Sequence, residues 1–155
     1  MVFSFLVAAA EGRAEEVSTE YKECAAILRS TPRVSHTSAP CLLAAEQGYA
    51  DIQYYVGMSF GYAGDHKSEA DLYKKAAEQH YAPAYLALGH VLSAGDDSDI
   101  EAAIGWYQKY VETREDGYGY AALLLSELYM EQGESELSKR WLAVCHASPY
   151  KGCGE

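Results

Sequence analysis

Ala44-Ala45-Glu46-Gln47-Gly48-Tyr49-Ala50 and Ala76-Ala77-Glu78-Gln79-His80-Tyr81-Ala82 are near copies, identical at six of seven positions and 32 residues apart. The chain around them echoes the same spacing. Self-similarity at a period of this size marks stacked helical units, because one two-helix unit cannot bury its apolar face alone and neighbours must cover it. The stretch decides the architecture and says much less about chemistry.

Working outward, each unit reads as a helical hairpin. Ala50 opens a helix carrying Ile52, Val56, Gly57 and Phe60 on one face. Gly61 to Asp65 turns the chain, and a return helix from about Ser68 to Gln79 points Leu72, Ala76 and Ala77 inward. The next unit repeats this with Ala84, Leu88, Gly89 and Leu92, a turn at Ser93 to Asp97, and a capping box, Ser98-x-x-Glu101, opening a helix with Ala103, Trp106 and Tyr110. After a longer link, Glu112 to Gly119, the fourth unit keeps the spacing with Ala121, Leu125, Ser126 and Tyr129, turns at Gln132 to Glu134, and returns through Trp141 and Cys145 until Pro149. Upstream, Glu15 to Ser30 reads as a long helix with Tyr21, Cys24, Ala25 and Leu28 on one face. Thr31 to Ser38 reads as a loop, and Ala39 to Gln47 as a helix with Pro40 in its first turn and Gly48 at its C-terminal cap. The units span about 15–48, 49–80, 81–113 and 117–148, within one domain from 15 to 155. A small residue at 57, 89 or 126 lets the two helices of a hairpin approach closely.

The chain carries 12 Lys plus Arg against 23 Asp plus Glu, a net charge of −11. So acidic a surface repels phosphates, which argues against a nucleic-acid partner and favours a basic or mixed protein partner, or simple solubility. Fourteen tyrosines exceed what a core needs, and a Tyr side chain suits exposed contact surfaces. No apolar run reaches the length of a membrane span. Val2 to Ala10 has two readings: the apolar part of a secretion signal cleaved near Gly12-Arg13-Ala14, or a first helix packing Phe3, Phe5 and Leu6 onto the solenoid end. Residues 1–14 are set apart on that account.

Cys24, Cys41, Cys145 and Cys153 form an even set without zinc-ligand spacing. Two disulfides in an oxidising compartment are one reading, and four buried thiols in a cytoplasmic protein the other. A metal reading of Asp96, Asp97 and Asp99 competes with helix capping, which uses the same residue type. The spacing matches no calcium loop, so no metal site or cofactor is expected.

The Ala-x-x-x-Leu-Gly-x-x-Leu run from Ala84 to Leu92, with Trp106-Tyr107-Gln108-Lys109 and Leu72 to Gln79, resembles a Sel-one-like repeat, a relative of the tetratricopeptide repeat. The resemblance covers about 39–148 and weakens in the fourth unit, where Ser126 replaces the glycine. It implies an all-α, right-handed α/α superhelical solenoid of about four helix-turn-helix repeats. Cys145 and Cys153 look like the Helicobacter cysteine-rich proteins of this family, in which a cysteine ending one repeat pairs with one starting the next. The matching positions in the middle repeats are Ala45 with Gln53 and Ala77 with Tyr85. Cys24 and Cys41 have another spacing and would tie the first helix to the second, a closure of about 15 residues stabilising by roughly 3 kcal/mol.

The resemblance further implies that the first helices line a concave face. Counting outward positions gives Asp51, Tyr54, Met58 and Tyr62, then Leu86 and His90, then Tyr120, Leu123, Glu127 and Met130, with Tyr54, Met58, Tyr62 and His90 near the centre. Aromatic, Met and acidic side chains suit an apolar anchor ringed by negative charge. Cysteine-rich relatives are linked to penicillin binding and β-lactamase activity, and Ser148-Pro149-Tyr150-Lys151 matches Ser-x-x-Lys, but Ser-Asp-Asn and Lys-Thr-Gly are missing. The expectation is a non-catalytic protein-interaction module, an exported adaptor or immunity protein of the bacterial periplasm or exterior. The alternative is a weak penicillin-directed enzyme.

Non-reducing peptide mapping checks the redox reading. The expected products join Cys24 to Cys41 and Cys145 to Cys153. Four free thiols in protein from an oxidising compartment would contradict both the pairing and the exported location.

Overall fold

The computed structural model describes residues 17–94 and 98–154. Residues 1–14, with Phe3, Phe5 and Leu6, and the turn residues Gly95, Asp96 and Asp97 lie outside them. The helix ends follow local chemistry. Ser18 opens α1 (Thr19–Ser30) by accepting from the Tyr21 N–H. Pro40 sits in the first turn of α2 (Ala39–Glu46), where its missing donor costs nothing. Gly48 at φ +95° then turns the chain into α3 (Ala50–Tyr62). Asp65 caps α4 (His66–Glu78), accepting from the Ser68 N–H at 3.0 Å and its hydroxyl at 2.7 Å. The remaining helices are α5 (Ala82–Ser93), α6 (Ile100–Thr113), α7 (Tyr118–Glu131) and α8 (Ser135–His146). Among the described residues there is no strand.

Three local readings change. The return helix of the second unit starts at His66 rather than Ser68, because Asp65 is the cap. Asp99, not Ser98, caps α6: its carboxylate accepts from the Ala102 N–H at 3.0 Å, so the helix starts one residue later than a Ser98 capping box would place it. That assigns Asp99 a structural task. Thr31 to Ser38 is not an open loop but a 3₁₀ helix, Pro32–Thr37, laid against α3. Buried Ser59 of α3 holds it there, donating to the Arg33 carbonyl at 2.7 Å and accepting from the His36 N–H at 3.2 Å.

Successive helices pack as hairpins, α3 with α4, α5 with α6 and α7 with α8, each resting on the one before. Small residues set the approach. A β-carbon on Gly89 would lie 2.5 Å from Cε1 of Tyr107, and one on Gly57 would lie 3.1 Å from the Tyr73 ring. In the fourth hairpin Ser126 stands in the glycine's place, and its hydroxyl pairs with that of Ser138 at 3.0 Å, both buried. The polar atom is therefore satisfied where the ring contact is absent.

Two apolar clusters result. Cys24, Cys41, Ala44, Ala45, Ile52 and Val56 form the first, and residues from Tyr73 to Cys153 form the second. Helix α3 is the seam, with Phe60 packed on the first cluster and Tyr54 and Met58 on the second. The cysteines pair as Cys24–Cys41, tying α1 to α2, and Cys145–Cys153, tying the end of α8 to the segment after it. Where the last unit has this second bridge, Gln53 Nε2 donates to the Ala45 carbonyl at 2.9 Å, a hydrogen bond in place of a covalent link.

Gly89→Leu should overpack the Tyr107 contact and cost typically 1–3 kcal/mol, measured by denaturant melts. Gly57→Ala, with 3.1 Å of clearance rather than 2.5 Å, should cost less than Gly89→Ala. An unchanged midpoint for Gly89→Leu would mean the hairpin is misplaced.

Candidate functional site

The spacing of Asp51, Tyr54, Met58 and Tyr62 runs three, four and four residues, one stripe along α3. Its N-terminal end is tied inward: Asp51 accepts a 2.8 Å hydrogen bond from the Tyr21 hydroxyl of α1. Tyr54 is half-buried among three rings, Tyr55 at 5.2 Å edge-on, Tyr73 at 5.5 Å and Tyr81 at 5.6 Å. Burial raises the Tyr54 phenol above its ordinary value, and burial followed by the nearby Tyr55 and Asp51 pushes Tyr81 up to about 12. The Tyr54 and Tyr81 hydroxyls stay protonated, able to donate, at physiological pH. Met58 packs partly buried on the second cluster. Tyr62 is different: it is 59% exposed, with the Arg33 guanidinium 4.9 Å from its ring centroid. Truncating Tyr54 would therefore remove packing as well as surface, whereas Tyr62 is surface almost alone.

On the next two first helices the residues form a second group. His90 of α5 lies edge-on to Tyr107 with its Nδ1 3.2 Å from the Tyr107 hydroxyl, which also meets Ser93 at 3.2 Å. Its ring is 5.8 Å from Tyr120 of α7, and Tyr120 is 5.6 Å from Tyr150 beyond α8. Leu86 and Leu123 are partly buried against the core, so they serve packing between units. Glu127 is exposed, and Met130 is 56% exposed near the end of α7. The expected residues thus fall into two aromatic groups, around Tyr54 and around His90, with Tyr62 and Met130 projecting at the turn ends of their helices.

Sequence reasoning missed a third constellation. Tyr85 and Trp106 stack with centroids 5.7 Å apart, the Lys109 ammonium lies 3.9 Å over the indole, and His80 Nδ1 is 3.1 Å from the Tyr85 hydroxyl. The signal was present: His80 is the single mismatch between the two seven-residue copies, replacing Gly48. Among the described residues no group of three or more His, Cys, Asp or Glu is arranged to hold a metal, and no helix is long and apolar enough to cross a membrane.

No protein-family model matches the sequence, and no curated protein matches it. The fold is similar to the crystal structure of MamA, with a TM-score of 0.58 and 16% identity over 85% of this chain and 95% of that one. At this identity the likeness speaks to fold. The chain is an all-α solenoid of helical hairpins.

His90 is exposed overall, but desolvation of its ring beside Tyr107 and Tyr120 lowers its pKa below the usual histidine value. The unfolded chain then binds the proton more readily, so the stability held by neutral His90 is complete above about pH 6.5 and is lost as pH falls through the lowered pKa. His90→Gln, which cannot titrate, should make the fall of melting temperature between about pH 7 and 5 shallower. Identical slopes in wild type and variant would contradict this placement of the ring.

Proposed function

We propose that this chain is a non-catalytic protein-interaction module of the Sel-one-like repeat type, an adaptor or immunity protein working in the bacterial periplasm or outside the cell. The observation that carries the reading is the exposure of Tyr62 and Met130, at 59% and 56%, at corresponding ends of two first helices. Large apolar side chains left in water at one edge of a stack, on a chain of net charge −11, suit a basic or mixed protein partner. The exported location rests on the two cysteine pairs, since disulfides persist in oxidising compartments. Asp51, Tyr54, Met58, Leu86, His90, Tyr120, Leu123 and Glu127 complete the proposed face, with Leu86 and Leu123 acting through its shape.

The penicillin-directed alternative lacks a ready nucleophile. The Ser148 hydroxyl donates to the Cys145 carbonyl at 2.6 Å and accepts from the Tyr150 N–H at 3.2 Å, the pattern of a chain-end cap. Lys151 is exposed.

Affinity capture would supply the partner, and surface plasmon resonance the test. Tyr62→Ala with Met130→Ala should raise the dissociation rate by about 30-fold, the equivalent of about 2 kcal/mol for truncated anchors. The melting temperature should change little, because both side chains are mostly in solvent. Added salt should slow association. Wild-type binding by the double variant would remove this face from consideration, and nitrocefin turnover that vanishes in Ser148→Ala would establish the enzyme instead.

A further inference from the structure

Between α4 and α6, away from the residues proposed above, lies a cleft of about 550 Å³. Its wall is the stacked pair of Tyr85 and Trp106, its lip carries the carboxylates of Glu78 and Glu112, and Lys109 reaches across the indole. The cleft is not a generic product of the repeat. The corresponding space between α2 and α4 is about 250 Å³ and has Leu72 in the place of Trp106. His80 marks the same difference. It adopts φ +62°, a region disfavoured for residues with a β-carbon, where the first copy has Gly48 at +95°. Such strain is retained where the side chain has a task, and here the imidazole holds the hydroxyl of the Tyr85 ring behind the indole.

We propose that this cleft binds an arginine side chain of a basic polypeptide, and that Lys109 fills the cation position over Trp106 when the cleft is empty. The indole face attracts cations, as the chain's own ammonium 3.9 Å from its centroid demonstrates. A guanidinium is planar, stacks on an indole, and can engage carboxylates through paired N–H donors, so it makes better use of Trp106, Glu78 and Glu112 than an ammonium on a flexible stem. Lys109 is exposed and free to swing out on that stem. The strongly acidic chain draws basic segments toward either surface. This site uses α4, α6 and the Tyr85 ring of α5, whereas the proposed partner face uses none of these residues, so each can fail without the other.

The test uses the full chain and two small probes, N-acetyl-arginine methylamide and its neutral isostere N-acetyl-citrulline methylamide, at fixed ionic strength. The two indole N–H resonances are followed by NMR in the wild-type protein, Trp141→Phe serving only to assign them. The arginine probe should shift the Trp106 signal saturably, with half-saturation on the order of 1–10 mM, a scale suited to a single cation on one ring. The Trp141 signal should not move. The citrulline probe should bind at least about fivefold more weakly. Glu112→Gln and Glu78→Gln should each weaken arginine binding, and Lys109→Ala should tighten it about threefold by removing the resident cation. Equal binding of the two probes, no saturable shift, or weaker binding by Lys109→Ala would overturn the proposal. The Tyr62 and Met130 variants should bind the arginine probe as wild type does.

Discussion

Where Gly89 of α5 meets the ring of Tyr107 of α6, there is no room for even a β-carbon, and the spacing of the whole hairpin follows from that contact. The ring, 1% exposed, fills the space a side chain on α5 would otherwise take. Burying such a ring contributes on the order of 2 kcal/mol. Gly57 with Tyr73 repeats the device one unit earlier at slightly greater distance, and the fourth hairpin replaces it with a serine pair. Each solution satisfies its polar atoms. The Tyr107 hydroxyl emerges from the packed layer to meet Ser93 and His90, so the contact that closes the hairpin also positions a side chain of the first-helix face.

This arrangement revises what the tyrosine count means. Fourteen tyrosines suggested an exposed contact surface, yet Tyr73, Tyr85, Tyr107 and Tyr110 are buried. Short hairpins suit side chains that are apolar along most of their length and polar at the tip, as Tyr107 shows by running from a helix contact to Ser93 and His90. Tyr110 does this too, its hydroxyl donating to the Asp116 carbonyl at 2.5 Å in the link before α7. The exposed remainder, Tyr62 above all, is therefore a smaller and more specific set than composition implied.

The helix pattern was legible because the repeat prints it twice: Gly48, Pro40, Pro32 and the pairs Val56-Gly57 and Leu88-Gly89 mark ends and contacts by backbone rules alone. The 3₁₀ helix at Pro32–Thr37 was not, since it depends on Ser59, more than twenty residues away, supplying a buried hydroxyl. Asp99 was mistaken by one position because Ser98 and Asp99 are both good caps and only tertiary placement chooses. Of the outward positions counted from the motif, Tyr62 and Met130 are exposed, whereas Tyr54 is half-buried beside Tyr73 and Tyr81 from other elements, which counting along one helix does not reveal. The Trp106 cleft was hidden for the opposite reason. Its parts lie on two second helices, a first helix and a turn, and only the mismatch of His80 with Gly48 hinted that this boundary differs.

The coupling energy between Gly89 and Tyr107 is the most direct measure of whether hairpin closure rests on this contact. Gly89→Ala and Tyr107→Leu, singly and together, would be unfolded in denaturant under identical conditions. If the two residues meet as described, the double variant loses less than the two single losses added together, with a coupling of about 0.5–3 kcal/mol. Strict additivity would mean that the glycine and the ring do not touch, and that something other than this contact sets the approach of α5 and α6.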